Sequence, residues 1–210
     1  DAVDCDLWVV ASPPSQMESI FQEIERVRTP ESVITDVGSI KSAVMNAVPH
    51  SLRPYFVGGH PMAGREQTGV EFSRSSLFEG AKWILCPFAE TTTASLRWVE
   101  RMVFALDASP IRMSSEDHDS HVAMVSHLPH ILASCLVELA DDLEHPMVHA
   151  GSWADLTRVA GSNPRVWADI LVHNRDAVIE SMTKLSTKLE QSREMLTKAS
   201  QDEVASWLNE

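Results

Sequence analysis

Tyr55-Phe56-Val57-Gly58-Gly59-His60-Pro61-Met62-Ala63-Gly64 is the stretch from which the rest of the chain is read. Residues 55–57 form a short apolar run of the kind that makes a buried strand, and two glycines end it. His60 is thereby expected just past the C-terminal end of a strand, the edge along which open α/β sheets bind ligands. The glycines permit close backbone approach and Pro61 fixes the chain that follows, so the histidine is placed for chemistry. A tight turn that contains a histidine has the same spacing.

Outward from that stretch, strands alternate with helices. Residues 7–11 read as a strand ended by Ser12-Pro13-Pro14, and a helix follows over 15–27 with Met17, Ile20, Phe21, Ile24 and Val27 on one face. Residues 32–37 are the next strand, and Gly38-Ser39-Ile40-Lys41 turns into a helix that ends near Pro49. After the 55–57 strand and a longer loop come a strand at 83–86, a helix at 93–106 and a strand at 111–113. This alternation means βαβ units and a mostly parallel sheet, so Ser12-Pro13, Gly38-Ser39 and Gly59-His60 lie at strand ends that point the same way.

Beyond residue 113 the periodicity is helical. Ser114-x-x-Asp117 is a capping box, and Asn163-Pro164 reads as N-cap and first residue of a long helix. Leu171, Val178 and Leu185 recur every seven residues, as do Met182, Leu189 and Leu196, in an a/d-like seam that Arg175 interrupts. Such a seam pairs helices, within the chain or across a dimer. The expected fold class is α/β plus all-α: an α/β domain over 1–113, then an all-α domain over 114–210.

The 210 residues carry a formal charge of −13, which argues against nucleic acid and anionic membranes as partners. It also gives weight to any arginine at a site that binds anions. No apolar run of the roughly 18 residues needed for a membrane span stands out and no secretory signal opens the chain, so a cytoplasmic protein is expected. Cys5, Cys86 and Cys135 are odd in number and widely spaced, which fits reduced thiols.

Three clusters carry chemistry. Ser39 sits near a helix N-terminus, where backbone N–H groups favour anions, and is equally an ordinary N-cap serine. His118, His121, His127 and His130 fall within 13 residues, but on a straight helix the first pair is centred opposite the second, so no metal site is expected. His127 and His130, at i and i+3, suit hydrogen bonds to an anion or carbonyl, or else are core histidines satisfied within the fold. Arg158 lies in a mildly apolar stretch. Its planar fork suits a bidentate grip on a carboxylate, and Asp155 is placed either to hold that fork or to pair with it structurally.

The ordered set Thr35-Asp36-Val37-Gly38-Ser39-Ile40-Lys41, the GGHPMAG loop followed by Glu66, Ser126-His127-Leu128-Pro129-His130, and Asp155-x-Thr157-Arg158 with Trp167 beyond resembles prephenate/arogenate dehydrogenases of tyrosine biosynthesis. The resemblance runs from about residue 5 to 195 and implies a Rossmann domain coupled to an all-α dimerising domain. It implies oxidative decarboxylation of prephenate to 4-hydroxyphenylpyruvate, or of arogenate to tyrosine, with hydride transfer to NAD or NADP, NAD being favoured. His60 would accept the proton of the substrate hydroxyl, and Ser39 would orient His60. Arg158 would hold a substrate carboxylate, His127 and His130 would line the pocket, and Glu66 would stand at its mouth. Ser12, Pro13, Gly38 and Ser39 would contact the cofactor, and the chain would form a homodimer through its helical domain.

One departure stands out. The eight glycines include no G-x-G-x-x-G loop, so the chain is expected to begin at about the fourth strand of the Rossmann sheet, with the Gly-rich first half of the domain absent. A β-hydroxy acid dehydrogenase of the same superfamily would use a lysine on the helical domain, and no convincing candidate stands there. A non-catalytic, dimerising, ligand-binding fragment is the remaining alternative.

Overall fold

The computed structural model describes residues 5–64, 70–145 and 148–209; Glu66, expected at the mouth of the site, lies outside them. Strands β1 (Leu7–Val10), β2 (Val33–Asp36), β3 (Phe56–Pro61), β4 (Lys82–Pro87) and β5 (Ser109–Arg112) form one sheet in that spatial order. All neighbours pair parallel except β3 and β4.

The period of two along each strand sends neighbouring side chains to opposite faces. Ile34, Phe56, Ile84 and Cys86 join one core with residues of α1 (Met17–Val27) and α2 (Ser42–Ala47). Val33, Val57, Trp83 and Leu85 join another, with Val99 and Val103 of α3 (Thr93–Ala105). Met17, Phe21 and Ile24, spaced i, i+4, i+7, are the buried stripe of α1. Thr92 caps α3 by accepting the Ser95 N–H at 3.1 Å. A mostly parallel sheet covered on both faces is the architecture that the alternation of elements implied.

His60 does not follow β3 but lies within it. β4 returns antiparallel and pairs Gly59 with Leu85, His60 with Ile84 and Pro61 with Trp83, which carries the strand beyond Val57. The two glycines answer a packing demand rather than a turn, for neither has a positive φ. A Cβ on Gly59 would stand 2.4 Å from the Asp36 carbonyl oxygen, and one on Gly58 2.9 Å from Met45 Sδ.

After β5 every described element is helical. Helix α4 (Ser115–Val122) passes through a wider π-helical turn, Ala123–His127, into α5 (Leu128–Ala140). Then come α6 (Gly151–Thr157), a 3₁₀ turn (Arg158–Gly161), α7 (Pro164–His173), α8 (Arg175–Lys198) and α9 (Gln201–Leu208). Ser114 caps α4 by accepting the Asp117 N–H at 3.0 Å, the Ser114 half of the expected capping box, and Asn163 caps α7 by accepting the Arg165 N–H at 3.0 Å, as the sequence indicates.

The single long helix expected after Asn163 is two helices. The break falls at Asn174, whose buried side-chain amide donates to the Asp119 carbonyl at 2.9 Å and draws the chain inward. The heptad seam divides accordingly. Val178 is buried and Leu171 and Leu185 are half-buried in the domain, whereas Met182, Leu189 and Leu196 are 40%, 57% and 59% exposed.

The continuous helical run Ser115–Ala140 spans 26 residues and its most apolar stretch reaches a mean hydropathy of 1.5, which the core helix of a folded domain reaches as readily as a membrane span. Its buried face carries His118, Asp119, His127 and His130, and these side chains build the site described next.

Candidate active site

The carboxyl end of β2 is organised around a buried ion pair. Asp36 and Lys41 have fully buried side chains and are bonded to each other. The carboxylate also accepts the Gly38 N–H at 2.8 Å and the Gly59 N–H at 2.9 Å, while the ammonium donates to the Gly59 carbonyl at 2.7 Å. Two charges out of water are tolerable only when their remaining donors and acceptors are met, and here backbone groups meet them. The pair thus ties the end of β2, the entry to α2 and the residue before His60 into one unit. Neither residue has a task that its local spacing reveals; the one signal in the sequence is a lysine among Ile40, Val44 and Met45.

His60, half-buried on β3, meets the helical part of the chain. Its Nδ1 lies 2.7 Å from His118 Nε2, and His118 Nδ1 lies 2.7 Å from Asp119 Oδ1. The Asp119 carboxylate also accepts the N–H groups of Lys41 at 2.7 Å and Ser42 at 2.8 Å, so α4 caps the start of α2. Burial works against the charged form of Asp119, but the hydrogen bonds from His118, Ser42 and Lys41 outweigh it and hold its carboxyl below the usual range.

A carboxylate only accepts, which sets the tautomers along this chain. His118 carries its proton on Nδ1, its Nε2 accepts from His60 Nδ1–H, and His60 Nε2 is left as a lone pair. Both imidazoles are neutral near pH 7. Burial, followed by His118, Lys41 and His127, holds His60 well below its ordinary value. Burial also lowers His118, against the opposing pull of Asp119. Ser39 makes no hydrogen bond to His60; the orienting place expected for it is taken by His118.

The histidines of the helical part converge because the helix is not straight. His118 and His127 are nine residues apart and would be centred on opposite sides of a regular helix. One residue accommodated in the Ala123–His127 π turn sets later side chains back by roughly 100°, which brings His127 round toward His118. The Asn174 amide donates at 2.9 Å to the Asp119 carbonyl and lies 3.2 Å from His127 Nδ1, placing the His127 proton on Nε2. Burial drives His127 down to about 4 and lowers His130 as well. His130 stacks on Trp167 with ring centroids 3.7 Å apart, and His127 meets the same indole edge-on at 6.0 Å. Buried His130 Nδ1 has no hydrogen-bond partner among the described residues.

Ser12, Pro13, Gly38 and Ser39 come together. With Val37 they line one wall of a cleft of about 590 Å³ at the carboxyl ends of β1 and β2, and Arg165, Val166, Asp169 and Ile170 of α7 form the other wall. The α7 wall carries no local motif in the sequence, so spacing alone does not reveal it. Arg158 opens the 3₁₀ turn that packs on α5, the helix carrying His130, and its side chain is exposed. The arrangement therefore offers a neutral proton acceptor, His60 Nε2, near the carboxyl end of β3, and a cleft lined by the carboxyl ends of β1 and β2 and by α7. Imidazoles and an arginine lie on the helical side.

Comparison with known proteins agrees with this fold. Residues 1–111 match the family model "Prephenate dehydrogenase, nucleotide-binding domain", and residues 114–210 match "Prephenate dehydrogenase, dimerization domain". The chain is 35% identical over 193 residues to prephenate dehydrogenase of Bacillus subtilis, covering 88% of this chain but only 52% of that protein. It is 31% identical to cyclohexadienyl dehydrogenase of Zymomonas mobilis, covering 96% of this chain and 71% of the relative. The crystal structure of Aquifex aeolicus prephenate dehydrogenase with hydroxyphenyl propionate and NAD+ superposes with a TM-score of 0.89 at 32% identity, over 97% of this chain and 73% of that one. Two family models that together take in almost the whole chain, with a fold that agrees, make it a member of the prephenate dehydrogenase family.

Proposed function

We propose that the chain forms the catalytic core of an NAD(P)-dependent prephenate dehydrogenase that converts prephenate to 4-hydroxyphenylpyruvate and CO2. The observation that carries this reading is the His60 Nε2 lone pair, held at the carboxyl edge of the sheet by the His118 hydrogen bond. Support comes from relatives of that name and from the Aquifex complex with hydroxyphenyl propionate and NAD+.

The cleft fits the nicotinamide end of a dinucleotide. About 590 Å³ is within the usual range for small-molecule sites, and Pro13, Val37, Val166 and Ile170 give it apolar walls beside the hydroxyls of Ser12 and Ser39. Ser12, Pro13, Gly38 and Ser39 would hold that end, and Arg165 offers a cation to an anionic ligand in a chain of net charge −13. Bound NAD(P)+ supplies the acceptor for the hydride that leaves the ring carbon bearing the hydroxyl.

The chain's own residues do the rest. His60 Nε2 takes the hydroxyl proton as that carbon is oxidised, and loss of the ring carboxylate as CO2 leaves an aromatic ring to which the proton returns. Aromatisation drives the reaction, so the protein needs chiefly to orient its reactants. Arg158 grips a substrate carboxylate through its planar fork, and His127 Nε2–H and the unmet His130 Nδ1 offer polar contacts in the pocket wall.

An assay of NAD(P)H formation with prephenate and arogenate, each with NAD+ and NADP+, tests this reading. Turnover of prephenate is expected; turnover of arogenate alone would overturn the substrate assignment. In the same assay Arg158→Ala is expected to raise the KM for prephenate roughly 10- to 100-fold, with a smaller effect on kcat. An unchanged KM removes Arg158 from the carboxylate grip.

The reading includes a homodimer through the helices. Met182, Leu189 and Leu196 leave an apolar stripe on α8, and Leu139 of α5 is 68% exposed. A stripe of that length is expected to be covered by a second copy. The native mass in solution should be about twice the 23.3 kDa of the chain, and a monomer would sink the assembly.

A further inference from the structure

We infer that His118 and Asp119 are positioning residues behind His60, and that they receive, through the His60–His118 hydrogen bond, the positive charge that arrives with the substrate proton. This rests on His60 being the base of the proposed reaction.

The step conserves protons and charge. The substrate hydroxyl gives its proton to His60 Nε2. The proton already on His60 Nδ1 crosses the 2.7 Å hydrogen bond to His118 Nε2. His60 is left neutral in its other tautomer, and His118 becomes an imidazolium whose Nδ1–H still donates to Asp119, 2.7 Å away. Asp119 stays ionised throughout. When the aromatic ring has formed, the same two protons run back.

The surroundings favour charge on His118 over charge on His60. Burial, Lys41 and His127 oppose a positive charge on His60, and Asp119, which favours one, lies beyond His118 and is the smallest influence there. His118 also feels Lys41, but it has the carboxylates of Asp119, in direct contact, and Asp36 in its favour. Cys86 on the neighbouring strand β4 adds no charge, because burial pushes its thiol up to about 12. Asp119 is held by the Lys41 and Ser42 N–H groups as well as by His118, so it stays in place when the proton moves. A fully buried histidine bonded at both ring nitrogens, one partner a base and the other a carboxylate, is built for such a transfer.

Asp119 also caps α2, so the test leaves it intact and changes His118. His118→Gln can accept the His60 Nδ1–H but cannot take up a proton, and His118→Phe can do neither. Both are expected to lower kcat roughly 100-fold with KM changed less than about threefold. A His118→Gln variant that keeps a third or more of wild-type kcat would show that orientation alone suffices and would overturn the relay.

A second readout needs no substrate. With ¹⁵N-labelled histidine in the wild-type protein, NMR near pH 7 should show His60 and His118 each protonated on Nδ1 only. On acidification His118 should become doubly protonated first, while His60 changes to the Nε2–H tautomer. First charging of His60 would overturn the inference. If the protein turns over neither substrate, the proposed function falls, and the order of protonation still decides the relay.

Discussion

Replacing His60 with asparagine is expected to lower kcat roughly 10²- to 10⁴-fold, the range in which a positioned general base contributes, while the KM for prephenate stays close to wild type. The base is lost, but the cleft walls and Arg158 are untouched, which is why binding and turnover should part. The cost to the fold should be small. His60 is half-buried, and its only hydrogen bond to a described residue is the one to His118, so about 1 kcal/mol is at stake.

The pH profile gives a second reading of the same variant. His60 is held well below its ordinary value, first by burial and then by His118, Lys41 and His127. The first proton to enter the His60–His118 pair blocks His60 Nε2 whichever ring carries the charge, and both imidazoles are held low, so wild-type kcat should stay level through neutral pH and fall only on acidification below 6.5. In His60→Asn this acid limb should vanish from the residual rate. Near-normal turnover, or an acid limb that survives unchanged, would remove His60 from the role of base.

The strands and the helices covering them are legible because each element carries its own period. Val33-Ile34 and Phe56-Val57 alternate between two cores, and Met17, Phe21 and Ile24 mark one stripe. His60 was found by its place near a strand end, yet its strand is longer than the apolar run suggests. What prolongs β3 is pairing with β4, a partner more than twenty residues later whose antiparallel return leaves no mark in residues 58–61.

The site itself is half legible. Ser12, Pro13, Gly38 and Ser39 follow from strand ends, and they share a cleft. The orienter of His60 does not, because finding His118 requires knowing that the helix widens at Ala123–His127. Regular 100° spacing sends His118 and His127 apart, and no residue type in that stretch announces the π turn. Likewise the periodicity runs straight through Asn174, where the helix breaks because a side-chain amide is needed inside by Asp119 and His127. Local pattern gives the elements, and the contacts between distant elements that bend them are set by packing.

Lys41 is the residue whose loss should cost the fold most. Lys41→Met removes one member of a fully buried pair and strands the Asp36 carboxylate with only the Gly38 and Gly59 N–H groups. Breaking such a pair from one side typically costs about 3–5 kcal/mol, which for a chain of this size corresponds to roughly 10 °C in Tm. Asp36→Asn alone should be comparably harmful, since one face of its amide would present N–H to donors. Removing both charges, with Asp36→Asn in the Lys41→Met background, should recover part of the loss, because no unpaired charge then remains buried. Denaturant unfolding of the two single variants and the double variant measures this directly. A Lys41→Met cost below about 1 kcal/mol would show that the carboxylate finds other compensation. The substitution also reaches the chemistry, with a sign that can be stated. The Lys41 charge disfavours protonation of His60, so its removal raises the value of that imidazole toward the ordinary 6.5. The acid limb of kcat should therefore move to higher pH in Lys41→Met, measured at a temperature where the variant remains folded. A limb that stays in place, or moves to lower pH, would mean that Lys41 holds the backbone at Gly59 without acting on the base beside it.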